Sequence, residues 1–419
     1  MTDINVFTTG IKACECGRDH LCPIDCIEIA EGALNKLPEL CEQYEKILLV
    51  ADKNTDKACG REVDDILGKK ATRYLFLEDN GEVVIPNEEI LDQVDAAADV
   101  ELIIGIGSGV INDICKYISF KHNIPYYIVA TAPSMDGYAS VGAALILGGM
   151  KVTLNARPPK AIIADTNVLC NAPMDMLRAG YGDIIGKFSC LNDWKLSALI
   201  NGEYFCQRVY DLTYSVVLEV KQLADGIKKR DEAAVGALMK ALCAVGIFMS
   251  YVGNSRPASG SEHHLSHYFE ITGILNNTPY FSHGIDVAFA SVVTAKIRDY
   301  IISNTPCHCG FDRNAWESNI RRIYSTSADG IIALQDKLGW YQNDDFDTVI
   351  SKWDDIIKIL REAPYAEETL ELIEKVGLSY NSFKKLYGRK KIKDGCLYAK
   401  DLKDRYSVLW LFYSFFKDK

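Results

Sequence analysis

Four of the seven histidines in this 419-residue chain, His263, His264, His267 and His283, fall within 21 residues. His263 and His267 stand four apart, so a helix puts both on one face, while His264 points elsewhere. His283 is the middle member of Ser282-His283-Gly284, directly before an apolar helical stretch. Imidazoles at helical spacing plus a remote third suit zinc, nickel or iron(II). The alternative is a set of surface or satisfied core histidines; Glu262 and Asp286 nearby favour the metal. A catalytic metal also needs a carboxylate and an open position. Asp183, in the small and apolar segment LRAGYGDIIGK (177–187), offers one. A buried charge is costly unless paired or metal-bound, so Asp183 is either partnered or a solvated helix-end acid. Spacing alone does not join it to the histidines.

A second constellation is the run Gly105-Ile106-Gly107-Ser108-Gly109, which follows ELIIGI and opens a helical stretch beginning VINDICKY. A strand, a glycine turn and a helix N-terminus make a phosphate cradle, because small residues let the backbone approach and the helix N–H groups favour an anion. G-x-G-x-G is not the dinucleotide fingerprint G-x-G-x-x-G. A dinucleotide pyrophosphate and a plain tight turn therefore both stay open. Downstream, PYYIVA runs into the hydroxyl-rich loop Thr131-Ala132-Pro133-Ser134-Met135-Asp136-Gly137-Tyr138-Ala139-Ser140. Two such loops at strand carboxyl ends are the expected edge of a ligand crevice. Asp136-Gly137 also reads as a turn signal.

The 14 cysteines are too dilute for a disulfide scaffold and are expected as reduced, mostly buried thiols. Cys14, Cys16, His20, Cys22 and Cys26 crowd into 13 residues. Only the C-x3-C of Cys22 and Cys26 approaches zinc-site spacing, so a structural metal is not expected there. Cys307, His308 and Cys309 have a similarly weak claim.

The elements that must position these groups follow from composition and periodicity. The length suits two or three domains at roughly 150 residues each. Candidate strands are Lys46–Ala51, Thr72–Leu77, Glu101–Ile106, Pro125–Ala130 and Ala161–Ala164, with helices between several of them, as in a parallel α/β sheet. Helices are also expected at Gly32–Glu45 and Asn87–Ala97. From Met174 onward apolar residues recur at helical spacing almost throughout. The predicted architecture is an α/β domain with a Rossmann-like parallel sheet (1–173), followed by an all-helical domain (174–419). A net charge of −11 disfavours nucleic acid and anionic lipid. The apolar stretch Ala233 to Val252 carries Lys240 and two glycines, and reads as a buried helix rather than a membrane span. The N-terminus lacks a secretory pattern, so the expected location is cytoplasmic.

GIGSGVIND, TAPSMDGYAS, GYGDIIGK, SRPASGSEHHLSH and SHG, in that order, resemble the glycerol-1-phosphate dehydrogenase family. That family sits in the wider group of glycerol dehydrogenase, iron-dependent alcohol dehydrogenases and dehydroquinate synthase. The likeness spans about Lys46 to Ala290, and SRPASGSEHHLSH carries its most specific part. It implies metal ligation by Asp183, His263 and His283, with His263 preferred over His264. It implies that Asp136, Asp183 and His267 contact substrate, Asp183 and His267 being catalytic. Gly107, Gly109, Val110, Ile111, Asn112, Asp113, Thr131, Ala132, Pro133, Ser134 and Ser140 would line NAD(H) or NADP(H). Arg256 is offered for a substrate phosphate, since guanidinium suits bidentate phosphate binding; a loop-surface or capping role is the alternative. The implied reaction is reversible reduction of dihydroxyacetone phosphate to sn-glycerol 1-phosphate, with one zinc, nickel or iron ion, in a homodimer. Rival readings are a polyol dehydrogenase, a dehydroquinate-synthase-like lyase, and a non-catalytic nucleotide- or metal-binding module.

Overall fold

The computed structural model describes residues 3–77, 84–148, 150–342 and 346–417. Among the described residues eight strands are formed: β1 (Cys26–Ala30), β2 (Ile47–Asp52), β3 (Ala71–Leu77), β4 (Leu102–Gly107), β5 (Tyr126–Ala130), β6 (Gly142–Leu147), β7 (Met150–Asn155) and β8 (Ala161–Asp165). Six of them make one parallel sheet in the order β1-β8-β5-β4-β2-β3. Strands β4, β5 and β8 are buried along their whole length, which is why they read as continuous apolar runs. Strand β1 was absent from the sequence expectation. Its CIEIA alternates half-buried and buried residues at the sheet edge, a five-residue signal masked by neighbouring cysteines. The hairpin β6–β7 is antiparallel and separate from the main sheet.

Eight helices matter to the site: α1 (Glu88–Ala97), α2 (Gly109–His122), α3 (Met174–Asn201), α4 (Gln207–Val220), α5 (Glu232–Val252), α6 (Ser261–Leu275), α7 (His283–Ser303) and α8 (Val408–Phe416). The helix expected at Gly32–Glu45 is instead two short turns, Ala33–Lys36 and Leu37–Leu40. From Met174 to the end the described elements are all helical. Contacts group the chain into two compact units: Met1–Ile184 with Leu218–Ser255, and Ile185–Val217 with Arg256–Lys419.

In the first unit, one sheet face packs Ile47, Leu49, Ile104, Ile106, Val129 and Ile163 onto Leu37, Val63 and Leu67. Each such side chain stabilises the fold by roughly 1.5–3 kcal/mol when fully buried. Helix α5 begins at Asp231, whose carboxylate accepts the Ala234 N–H at 2.9 Å, and stops at Gly253 with φ +77°. It is long and apolar enough to cross a membrane, yet 78% of its most apolar window is buried in the protein. Its Gly246 faces the short turn Asp136–Ala139, where a Cβ would meet the Asp136 carbonyl at 2.8 Å. In the second unit α6 and α7 pack along each other.

Candidate active site

The glycine run ends β4 and opens α2. A Cβ on Gly107 would meet Ile111 at 2.6 Å, so glycine there lets the first turn of α2 lie against its own strand. Ser108, Gly109 and Val110 are half-buried, whereas Ile111 and Asn112 are buried. The second loop follows β5, and the Thr131 N–H donates to the Gly107 carbonyl at 3.0 Å. Both loops therefore leave neighbouring strands at their carboxyl ends. β2 pairs with β3 on one side and β4 on the other, so the chain reverses direction across the sheet beside this point, where nucleotide crevices form.

A residue that sequence reasoning passed over holds the loops in shape. Lys116, on α2, is fully buried and donates to the carbonyls of Gly137 (2.8 Å) and Gly142 (2.9 Å) and to Ser140 Oγ (3.2 Å). Asp113 lies 3.5 Å from the Lys116 ammonium and accepts the Ala144 N–H at 3.1 Å. Burial lowers the Lys116 pKa, and the Asp113 carboxylate works against that shift. Asn112 Nδ2 reaches Asp113 and the Gly137 carbonyl at 3.3 and 3.4 Å. Tyr138 donates to the Ala132 carbonyl at 2.6 Å. The signal in the sequence was a lysine four residues after Asn112 and three after Asp113, a spacing that a helix places on one face.

Asp183 sits on α3 and is fully buried. Its Oδ2 accepts the backbone N–H of Asp136 at 3.0 Å, which ties the hydroxyl loop to this carboxylate. Gly180, one turn earlier, would place any Cβ against the Pro133 carbonyl, so a small residue is required for α3 to approach the loop.

Asp183, His263 and His283 each present a ligand atom, and these atoms lie within 4.8 Å of one another. His263 Nδ1 stands 2.7 Å from Glu262 Oε1. A carboxylate only accepts, so Nδ1 carries the proton and Nε2 keeps its lone pair for a metal. His283 opens α7, with its Nδ1 3.4 Å from Ser266 Oγ. One buried carboxylate and two imidazoles, one of them oriented by a second carboxylate, fit a divalent metal. His267 is half-buried, with ring centroids 5.6 Å from His283 and 6.2 Å from His263. His264 is fully buried, and burial, followed by the positive charges of Arg405, Lys403 and Arg256, holds its pKa well below the usual value. Asp286 accepts from Tyr387 OH at 2.8 Å, and burial raises its pKa well above the carboxylate range.

Two further anchors were not foreseen. Asp193, on α3 and 1% exposed, accepts the Ser261 N–H at 2.6 Å and the Val408 N–H at 2.7 Å. One carboxylate thus terminates both α6, which carries His263 and His267, and α8. Burial and the neighbouring Glu262 push its pKa up to about 6. Arg256 is 1% exposed and binds Glu203 bidentately, Nε to Oε1 at 2.8 Å and Nη2 to Oε2 at 2.6 Å, with the Tyr406 carbonyl 2.8 Å from Nη2. A substrate phosphate would have to share or displace that carboxylate.

A family model described as iron-containing alcohol dehydrogenase matches residues 28–173. The chain is 36% identical over 292 residues to the glycerol-1-phosphate dehydrogenase (NAD(P)+) of Geobacillus thermodenitrificans, covering 68% of this chain and 72% of that one. It is 34% identical over 328 residues to the enzyme of the same name from Bacillus licheniformis, covering 76% and 80%. An alcohol dehydrogenase from Oenococcus oeni shares the fold with a TM-score of 0.60 at 14% identity, over 92% of this chain and 94% of its own. The NADH-dependent butanol dehydrogenase A of Thermotoga maritima does so at 0.56 and 16%, over 94% and 90%. With a parallel nucleotide-type sheet, a helical region bearing a carboxylate and imidazoles, and relatives this similar over this length, the chain belongs to the glycerol-1-phosphate dehydrogenase family of the iron-containing alcohol dehydrogenase superfamily.

Proposed function

We infer that this protein is an NAD(P)H-dependent dehydrogenase that reversibly reduces dihydroxyacetone phosphate to sn-glycerol 1-phosphate. The observation that carries the reading is the convergence of Asp183, His263 and His283 within 4.8 Å. The names of the relatives at 34–36% identity supply the substrate. Residues 1–173 bind the nucleotide, with its pyrophosphate against Gly107 and Gly109 to Asp113 and the remainder along Thr131 to Ser134 and Ser140. Residues 174–419 supply most of the metal and substrate contacts.

Asp183, His263 and His283 hold a divalent ion: zinc, nickel or iron. When bound, that ion supplies Lewis-acid polarisation of the substrate's C2 oxygen. The chain's own groups do the rest. Glu262 fixes the tautomer of His263. Asp136 binds a substrate hydroxyl beside Asp183. His267, one helical turn from His263, delivers the proton that the C2 oxygen takes up as hydride passes from the nicotinamide to C2. Arg256 is the candidate for the phosphate, which would share or displace the Glu203 carboxylate. The protein works in the cytoplasm as a homodimer.

The deciding assay follows NADH and NADPH oxidation with dihydroxyacetone phosphate against dihydroxyacetone, with and without chelator, alongside metal analysis. Chelator-sensitive turnover of the phosphorylated ketose is expected. Equal or better turnover of dihydroxyacetone would make it a polyol dehydrogenase, and turnover of neither with cofactor bound would leave a non-catalytic module.

A further inference from the structure

Helices α6 and α7 carry the clustered histidines, and the rings of His263 and His283 stand 5.0 Å apart where the two helices pack. The connection between them, residues 276–282, is exposed from Asn276 to Tyr280. A surface loop of that kind does not by itself fix where His283, the first residue of α7, comes to rest. Ser266 Oγ, on α6, donates to the His283 carbonyl at a long 3.3 Å. A third element of the same compact unit makes closer contacts with both helices.

The helix Tyr380–Tyr398 is broken at Gly388, whose φ of +66° and ψ of 166° belong to a region that glycine alone enters without strain. Tyr387 is the residue just before the break, and it is buried. Its ring stacks on Phe269 of α6, with centroids 4.1 Å apart and planes at 15°. Phe281 and Phe383 close on the same ring edge-on, at 5.9 and 5.2 Å. The hydroxyl serves the other helix. It accepts the Phe281 N–H at 3.1 Å and donates to Asp286, whose two carboxyl oxygens both lie 2.8 Å away. Phe281 comes two residues before His283 and Asp286 three after it, while Phe269 comes two after His267. One phenol thus grips α6 beside His267 and brackets His283 on both sides. Tyr387 lies 101 residues beyond Asp286, outside the stretch whose motifs carry the family likeness.

We propose that Tyr387 is a positioning residue for the histidine cluster: its ring holds α6, its hydroxyl holds the start of α7, and together they set His283 against His263 and His267. This inference rests on the reading of Asp183, His263 and His283 as metal ligands. The two contributions of the side chain are separable. Ring packing is apolar, and Tyr387→Phe keeps it. The same change removes the hydroxyl from between the Phe281 N–H and the Asp286 carboxyl, so the start of α7 loses the link that ties it to the ring on α6. A ligand set tolerates displacements of only about 0.5 Å before its lone pairs cease to converge.

The test is zinc affinity of metal-stripped full-length protein, by competition with a chromophoric chelator, counting only the ion that His283→Ala fails to bind. Tyr387→Phe should weaken that affinity by about 10–100-fold. With zinc saturating, it should lower kcat with little change in KM for the nicotinamide cofactor. A role in stability alone predicts a lower unfolding temperature with wild-type zinc affinity in the folded protein, and that result overturns the proposal. Tyr387→Phe/Asp286→Asn replaces the acid left without its donor by a neutral amide of the same shape, and serves also if the single variant does not accumulate. Zinc affinity that stays low in a stable double variant supports positioning; affinity that returns with stability overturns it. Wild-type protein that takes up no such ion overturns the metal reading and this inference with it. Wild-type uptake matched by Tyr387→Phe overturns this inference alone.

Discussion

The backbone N–H of Asp136 donates to Oδ2 of Asp183 across 3.0 Å. A backbone donor on the hydroxyl loop therefore aims a carboxylate that stands within 4.8 Å of two imidazole ligand atoms. The loop cannot shift without turning that carboxylate.

Lys116 is where this coupling can be probed from a distance. Its ammonium holds the carbonyls of Gly137 and Gly142, so Lys116→Met leaves acceptors unsatisfied just after Asp136. We expect a raised KM for the nicotinamide cofactor and metal affinity weaker by about 10-fold, the lower end of what loss of a supporting group costs a metal site. Isothermal titration with zinc and steady-state kinetics check both; unchanged metal affinity would mean that the loop and Asp183 are independent.

Glu262 orients His263 without joining the ligand group. Glu262→Gln keeps the shape but offers an amide to Nδ1 in place of a full negative charge. Metal affinity should fall by about 10–100-fold, with the activity restored at high metal concentration. His283→Ala should instead lose metal and turnover together, with no rescue. Metal content by plasma mass spectrometry and a metal-dependence curve separate the two behaviours.

Arg256 discriminates between a structural and a substrate role. Glu203 is 31% exposed, so Arg256→Ala leaves a partly solvated carboxylate without its guanidinium, at a cost of roughly 1.5–3 kcal/mol. Thermal unfolding should show that loss. Arg256→Ala/Glu203→Gln should recover much of it. If the double variant is stable but its KM for dihydroxyacetone phosphate rises while turnover of the unphosphorylated ketose is unaffected, Arg256 binds phosphate. An unchanged KM assigns it to the fold alone.

Asp193 gives a pH dependence with a definite sign. Its folded pKa, about 6, lies above its ordinary 3.8, so the folded state holds the proton more tightly than the unfolded one. The stability from this group is complete below about pH 4 and is lost as pH rises through about 6, at about 1.4 kcal/mol per pH unit. Asp193→Asn should flatten that part of the stability profile, measured by urea unfolding from pH 4 to 8. Asp193→Ala strands two buried N–H groups and should cost about 2–4 kcal/mol at any pH.

Much of this was legible in the sequence because it is local. The runs KILLVA, ELIIGI and PYYIVA are apolar on both faces and became buried parallel strands β2, β4 and β5. His263 and His267 share a helix face because a helix turn fixes it. What was not legible depends on long-range contact. Lys116 looks like any helix lysine until the loop carbonyls close over it. Asp193 and Arg256 have their partners far along the chain.

The double anchor at Asp193 also bears on the order of events during synthesis. The carboxylate that caps the start of the histidine helix α6 at Ser261 also caps the start of α8 at Val408, 215 residues beyond Asp193 itself. Until Val408 has left the ribosome, that buried charge holds only half its hydrogen bonds, and the helix bearing His263 and His267 is only half secured. A chain interrupted before Val408 should therefore carry Asp183, His263 and His283, the ligands proposed above, yet leave Asp193 without its second backbone donor.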